Sequence, residues 1–447
     1  MLLYSKGSVD ANLSLDDLRE GLYQALDKLG PRRKVIAIPP DITRYHSQAG
    51  VLTELVWEYY REKLGDVLPS IGTHYPMSDD EIGAMYGNTP RNLFRVHDWR
   101  NGFTTMGEVP SDFVRNVSHG AVDYPIPIQV DKLLIEGGHD LILSIGQVVP
   151  HEVVGMANHN KNIFIGTGGR EGINKTHFLG AAYGLERIMG RADTPVKRVL
   201  NYACEHFANN MPIIYVLTVV DKVAYVPEFQ RQDDEADLAS REASANGGGF
   251  AVRGLFIGDD IECFNLAAAL SLNVNFFMLE KPLEKVVVYL DPTEFKSTWL
   301  GNKAIYRTRM AISDGGELII LAPGLKEFGE DPGNDAIIRK YGYAGTPKIL
   351  DLVKRNAELR DNLGAAAHLI HGSSEGRFSI VYCPAHISRK EIESAYLKYS
   401  DINDMMKRYD PHKLKDGLNK LPNGEEIFYI SNPALGLWAY KGRFNED

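Results

Sequence analysis

Hydrophobic positions along the chain arrive in two alternating patterns. Short contiguous runs rich in Val and Ile read as buried strands, and longer stretches with apolar residues every three or four positions read as helices. KVIAIPP (34–40) is the first clear strand, followed by a helix over VLTELVWEYYREKLG (51–65) and a strand with its exit over VLPSIGTH (67–74). DLILSIG (140–146), NIFIGTGG (162–169), PIIYVLTVV (212–220) and FAVRGLFIGDD (250–260) continue the series. A second series begins near residue 276, with strands KVVVYLD (285–291), ELIILAPG (317–324), FSIVYCPA (378–385) and EIFYISNP (426–433) and a helical stretch at 356–370. Ser78 and Glu81 have the spacing of a capping box. RQDDEADLASREASANGGG (231–249) reads as a solvated helix with a glycine stop.

Strands alternating with helices predict an α/β protein of two domains, 1–275 and 276–447, with mainly parallel sheets flanked by helices and an active site in the interdomain cleft. A chain of 447 residues is long enough for two or three cores. Ligands of open α/β sheets lie outside the carboxyl ends of the strands. That singles out the loops 39–47, 72–78, 147–161, 166–177 and 322–331.

Composition narrows the class. An apolar fraction of 44% and a charged fraction of 24% are those of a globular protein. The formal charge of -10 argues against a nucleic-acid partner, which calls for a basic footprint. The N-terminal stretch lacks the pattern of a secretory signal, and no apolar run is long enough to span a membrane, so the expected location is cytoplasmic. Cys204, Cys263 and Cys383 are odd in number and far apart, which reads as buried thiols rather than disulfides or structural zinc.

The loops carry the candidate chemistry. In the first, Asp41-Ile42-Thr43-Arg44 follows a strand and two prolines; Arg44 can hold a carboxylate bidentately, and Asp41 can orient it or an imidazole. The plainer reading is an Asx-turn with an exposed arginine. In the second, Gly72-Thr73-His74 presents an imidazole whose ordinary pKa near ~6.5 suits proton transfer; most loop histidines are structural. The third holds Pro150-His151-Glu152, Gly155, Lys161 and then His177. With Asn174 or Thr176 as cap, His177 is placed in the first turn of a helix, where a neutral imidazole is favoured as a metal ligand. Two other readings stand beside these. His74, His151 and His177 on three loops admit a metal-dependent hydrolase or lyase, although no HExxH spacing occurs. Gly166-Thr167-Gly168-Gly169-Arg170-Glu171-Gly172 admits a dinucleotide loop with its last glycine displaced by one.

Taken in order, Asp41-x-x-Arg44, Gly72-Thr73-His74, His151-x3-Gly155-x5-Lys161 and His177 resemble the nickel-dependent lactate racemases. The resemblance extends to Lys303 and to Gly315-Gly316-Glu317-Leu318-Ile319-Ile320, covering roughly residues 34–330. It implies an isomerase that inverts the hydroxyl-bearing carbon of a 2-hydroxy acid. Its cofactor would be a nickel-pincer nucleotide, a nicotinic-acid-derived mononucleotide joined to Lys161 as a thioamide, with His177 completing the Ni2+ coordination. By the same resemblance, Gly155 and Asn158 belong to the cofactor site, His74 and His151 are acid and base on opposite faces of the substrate, and Arg44, Lys303 and Asp41 bind it. Cofactor-synthesis proteins would be needed for loading, and self-association is compatible with the pattern.

Two departures from the family pattern bear on substrate. The small Ser-Gly-Gly-type turn before the tether is here Ala157-Asn158-His159-Asn160, with His159 read as a bystander. The Tyr-Gln pair before the lysine is here Trp299-Leu300, which points to a longer 2-hydroxy acid than lactate. A non-enzymatic binding module is the third reading.

Overall fold

The computed structural model describes residues 1–222 and 249–444. The acidic run at 231–249 lies outside them except for its final glycine. The chain divides into two compact units: Met1–Ile173 with Gly190–Asn275, and Asn174–Met189 with the residues from Phe276 onward. The second unit thus takes a segment, Asn174–Met189, that the sequence reading places in the first.

The first unit is built on a six-stranded sheet. Its order is Leu2–Gly7, Phe250–Gly258, Ile213–Lys222, Leu141–Gln147, Val35–Ile38, Leu64–Val67. The last four strands are mutually parallel, and the first two are added antiparallel. Alternation along the strands sends Val35 and Ala37, Leu141, Leu143 and Ile145, and Val216 into one apolar core. Helices Leu15–Leu29 and Ala49–Tyr60 bury Leu18, Leu22, Leu26, Leu52, Leu55 and Val56 in the same core. Capping boxes at Ser14–Asp17 and Ser78–Glu81 fix two helix starts, the second as the spacing predicts.

Two of the expected elements differ. The helix predicted to run to residue 65 stops at Tyr60, where Arg61 takes a left-handed φ of 50°. Leu64–Val67 then pairs with Val35–Ala37, so the strand lies where the end of that helix was placed. NIFIGTGG forms no strand: Asn162–Gly166 is a single π-helical turn closed by Thr167 N–H to Asn162 O at 3.1 Å. Ile163, Phe164 and Ile165 are buried, and a short run buried on all sides has no periodicity to separate turn from strand. The dinucleotide-loop reading loses its preceding strand for the same reason.

The second unit has its own six-stranded sheet, ordered Lys398–Tyr399, Ser379–Pro384, Ile312–Ala322, Leu283–Tyr289, Glu426–Ile430, Gly417–Lys420. All neighbours are parallel except the last pair. Val287, Ile319, Leu321 and Val381 form its core with Ile402 and Tyr409. The helical stretch expected at 356–370 is two helices, Ala357–Arg360 and Leu363–His371. Among the described residues no helix is long and apolar enough to cross a membrane.

Leu143 is fully buried at the centre of the first sheet, whereas Leu418 on an edge strand is 79% exposed. Leu143→Ala should cost about 2–5 kcal/mol through lost burial and a residual cavity, and Leu418→Ala within about 0.5 kcal/mol of nothing. Denaturant midpoints of the two variants check this; equal losses would mean the first sheet is not the core of its unit.

Candidate active site

Three loops leave the carboxyl ends of adjacent parallel strands in the first unit, and each carries one candidate. Val35–Ile38 leads to Asp41, Leu64–Val67 to His74, and Leu141–Gln147 to His151. The first two loops are tied together: Ser70 N–H donates to Pro39 O at 2.7 Å. Gly72 has φ 58°, a left-handed turn glycine adopts without strain, and its N–H donates to Gly166 O at 2.9 Å.

Asp41 caps the 3-10 turn Ile42–Ser47 and is buried. Its Oδ1 accepts from Thr43 N–H at 3.1 Å and Thr43 Oγ1 at 2.5 Å. Its Oδ2 faces His74 Nδ1 at 2.6 Å. Burial alone would raise this carboxyl, but the hydrogen bond and charge of His74, the Thr43 hydroxyl and the Arg44 guanidinium hold it below its ordinary value. Asp41 is therefore a carboxylate that accepts from His74 Nδ1–H, leaving Nε2 as the nitrogen available to a substrate. His74 is half exposed.

His151 is buried, on a small hairpin that pairs Pro150–His151 with Gly155–Met156. Gly155, at φ 86°, makes the turn. His151 Nδ1 accepts the Val153 N–H at 3.1 Å, with Glu152 Oε2 at 3.8 Å from the same nitrogen.

Lys161 follows two consecutive non-glycine residues with left-handed backbone, Asn158 at φ 68° and His159 at φ 59°. Its ammonium is pulled down to about 8, first by desolvation and then by the charge of Arg44, with Glu152 and Asp41 opposing. About a tenth of the side chain is then free amine at pH 7, far more than for an ordinary lysine with its pKa near ~10.4. Buried Lys197 Nζ donates to Asn158 O at 3.0 Å and sits 3.8 Å from the centre of the Phe264 ring. His159 lies between Tyr215 and Phe264, ring centroids 3.8 and 5.1 Å away, and burial followed by the Lys197 charge keeps it neutral.

His177 and Lys303 belong to the second unit. The helix carrying His177 begins at Arg170, so this residue is in the helix interior and not the first turn; the N-terminal argument for its neutrality fails. Asn174 and Thr176 are within the helix and cap nothing at its start. Lys303 opens the helix Lys303–Tyr306, with Nζ 5.7 Å from the Phe295 ring centre. Trp299 stacks on His368 at 4.3 Å. Among the described residues no group of three or more His, Cys, Asp or Glu side chains is arranged to hold a metal ion.

Residues the sequence reading did not single out are Lys197, His46 and Glu152's link to His151. Lys197 was findable, because it shares the buried helix face of Val196, Val199, Leu200 and Ala203. His46 stacks on Phe250, and burial with the Arg44 charge pushes it down to about 4.

The residues present fit a covalently held polar cofactor. Buried polar atoms lacking a hydrogen-bond partner include Ser144 Oγ and Gln147 Oε1 on the strand before His151, and Asn160 Oδ1 beside Lys161. Such atoms cost free energy unless a ligand or water meets them.

A family model described as the lactate racemase N-terminal domain matches residues 23–185. Over those residues the chain is similar to a lactate racemase N-terminal domain. Asp41, Arg44, His74, His151, Lys161 and His177 all lie within it. Two solved structures share the fold over almost the whole chain. A Thermotoga maritima protein is 23% identical with a TM-score of 0.76, covering 96% of this chain and 99% of that one. The lactate racemase apoprotein from Thermoanaerobacterium thermosaccharolyticum is 16% identical with a TM-score of 0.65, covering 98% and 94%. No protein of curated function matches the chain by sequence.

The lowered Lys161 ammonium makes a direct expectation. An amine-selective reagent attacks only the neutral amine, so labelling of Lys161 should rise with pH to half its maximum near 8. An ordinary lysine would reach it near ~10.4. Peptide mass mapping of briefly labelled apoprotein across pH gives the midpoint; one above 10 would contradict the site's electrostatics.

Proposed function

We propose that the protein is an isomerase that inverts the C2 centre of a 2-hydroxy acid, using a nickel-pincer nucleotide joined to Lys161. The observation that carries this reading is the Asp41–His74 pair beside a lysine with an unusually available amine, inside a region similar to a lactate racemase N-terminal domain.

Chemistry supports the residue types. A C2 proton of a hydroxycarboxylate is too weakly acidic for simple removal, whereas loss of the hydroxyl proton with hydride departure from C2 gives a planar 2-keto acid. The bound cofactor supplies a hydride-accepting and hydride-returning centre. Lys161 is the tether, His177 the nickel ligand, and Gly155 and Asn158 flank the attachment segment. His74, backed by Asp41, and His151 work as an acid/base pair, one taking the hydroxyl proton from one enantiomer and the other supplying a proton to form its mirror image. Arg44 and Lys303 hold carboxylate and carbonyl oxygens, Arg44 through a bidentate fork. Leu300 stands where the family pattern has a glutamine before the lysine, so a polar contact to a short acid is missing, which favours an elongated acid over lactate.

Lys161→Ala should abolish the nucleotide adduct seen by intact mass in protein produced with cofactor-making partners, while the fold survives. An adduct retained on another peptide would refute the assignment. In wild-type loaded enzyme, stereoinversion of a longer or polyhydroxy 2-hydroxy acid should exceed that of lactate. Lactate proving the best of a broad panel would contradict the substrate reading.

A further inference from the structure

Helix Pro195–Phe207 grips the segment that carries Lys161. Lys197 Nζ donates to Asn158 O at 3.0 Å, and Asn160 Nδ2 donates to Leu200 O at 3.3 Å and Asn201 Oδ1 at 2.8 Å. Beyond Lys161, Asn162 Nδ2 donates to Ile145 O at 3.3 Å. Lys197 is 1% exposed, and among the described residues no carboxylate stands within ion-pair distance of it. It lies in the first turn of its helix, its N–H donating to the cap Thr194, where the positive end of the helix dipole opposes a cation. The titratable groups around it bring no compensating charge. His159 is buried and neutral, burial pushes the Cys263 thiol up to about 12, and Lys161 repels a second proton. Burial first, and then the Lys161 charge, hold the Lys197 ammonium well below its ordinary pKa. An ammonium would bring three N–H groups to one carbonyl. An uncharged amine has two, one for Asn158 O and one for the Phe264 ring, whose centre is 3.8 Å away.

We propose that Lys197 is a positioning residue for Lys161 and acts as an uncharged amine, clamping the Asn158 carbonyl to hold the left-handed turn that sets where Lys161 stands. This rests on the reading of Lys161 as the tether. Two consecutive non-glycine residues with left-handed backbone, Asn158 and His159, stay so only where their surroundings over-determine them. Without the clamp the turn relaxes, water reaches Lys161, and its ammonium returns toward the ordinary lysine value. Attachment needs that amine held in place, and a displacement of about 1 Å can slow a reaction as much as 10²-fold. A permanently charged side chain at 197 would reach the same carbonyl only by setting a second buried cation against Lys161.

Two measurements on the apoprotein and one on loading test this. Carbon-13 and nitrogen-15 spectra of lysine-labelled wild type, with the Lys197 signal assigned by its loss in Lys197→Met, should show an amine at neutral pH; an ammonium there overturns the proposal. Lys197→Met keeps the length and apolar packing of the side chain and loses only the donor. In that variant the labelling midpoint of Lys161 should climb from about 8 toward the ordinary ~10.4. A purely structural role would lower the denaturation midpoint and leave the Lys161 midpoint unmoved, which would end the proposal, as would a variant that fails to fold where wild type is stable. With cofactor-making partners present, the adduct on Lys161 followed by intact mass should form about tenfold more slowly in Lys197→Met than in wild type; equal rates would contradict the positioning role. Wild type that never gains an adduct on Lys161, with amine signal and midpoints as expected, would instead show that the tether reading has failed, and the role given to Lys197 in attachment falls with it.

Discussion

The hydrogen bond between His74 Nδ1 and buried Asp41 is the contact on which the candidate site depends. A carboxylate taken out of water is costly unless its lone pairs are met. Here Thr43 supplies an N–H and a hydroxyl to one oxygen, and His74 meets the other. The bond also joins two loops, because Asp41 follows one strand and His74 its parallel neighbour. The backbone hydrogen bond from Ser70 N–H to Pro39 O ties these two loops, and Gly72 N–H to Gly166 O anchors the second. The imidazole is thus oriented by the sheet itself, not by a mobile side chain reaching for it.

A second constraint acts on the segment before Lys161. Left-handed backbone at a non-glycine residue costs on the order of 1–3 kcal/mol and persists only where the surroundings over-determine it. Asn158 and His159 both adopt it. Asn158 is held by Lys197 at its carbonyl and by its own side chain, which accepts the His159 N–H at 2.8 Å. Gly146 leaves room for the Asn158 amide, since a Cβ there would come within 2.5 Å of Asn158 Nδ2. The position of Lys161 is therefore set by a strand glycine, a strained turn and the buried Lys197 acting together.

Much of this was legible in sequence, for identifiable reasons. The long parallel strands announce themselves as contiguous Val and Ile runs, and the Ser78–Glu81 cap by its spacing. Asp41, His74 and His151 were legible because strand ends are where open sheets present side chains. What failed were local decisions without periodicity. Asn162–Gly166 is apolar and short, so turn and strand look alike. The helix of His177 starts at Arg170, where no Ser, Thr, Asp or Asn marks the entry, and the sequence offers a false cap at Asn174. Lys197 could be found from its place on an apolar helix face, but a charged residue there usually snorkels outward, whereas this one is buried against Phe264.

Chemistry at C2 is the central claim, and the fate of the C2 hydrogen tests it most directly. Cofactor-loaded protein would be incubated with a single enantiomer of a 2-hydroxy acid deuterated at C2, in ordinary water, and the inverted product analysed for label. Hydride transfer keeps the hydrogen away from solvent, so the product should retain most of its deuterium and appear more slowly than from unlabelled substrate if that step limits turnover. Inverted product with the deuterium washed out would mean a solvent-exchanging carbanion, and would contradict the account.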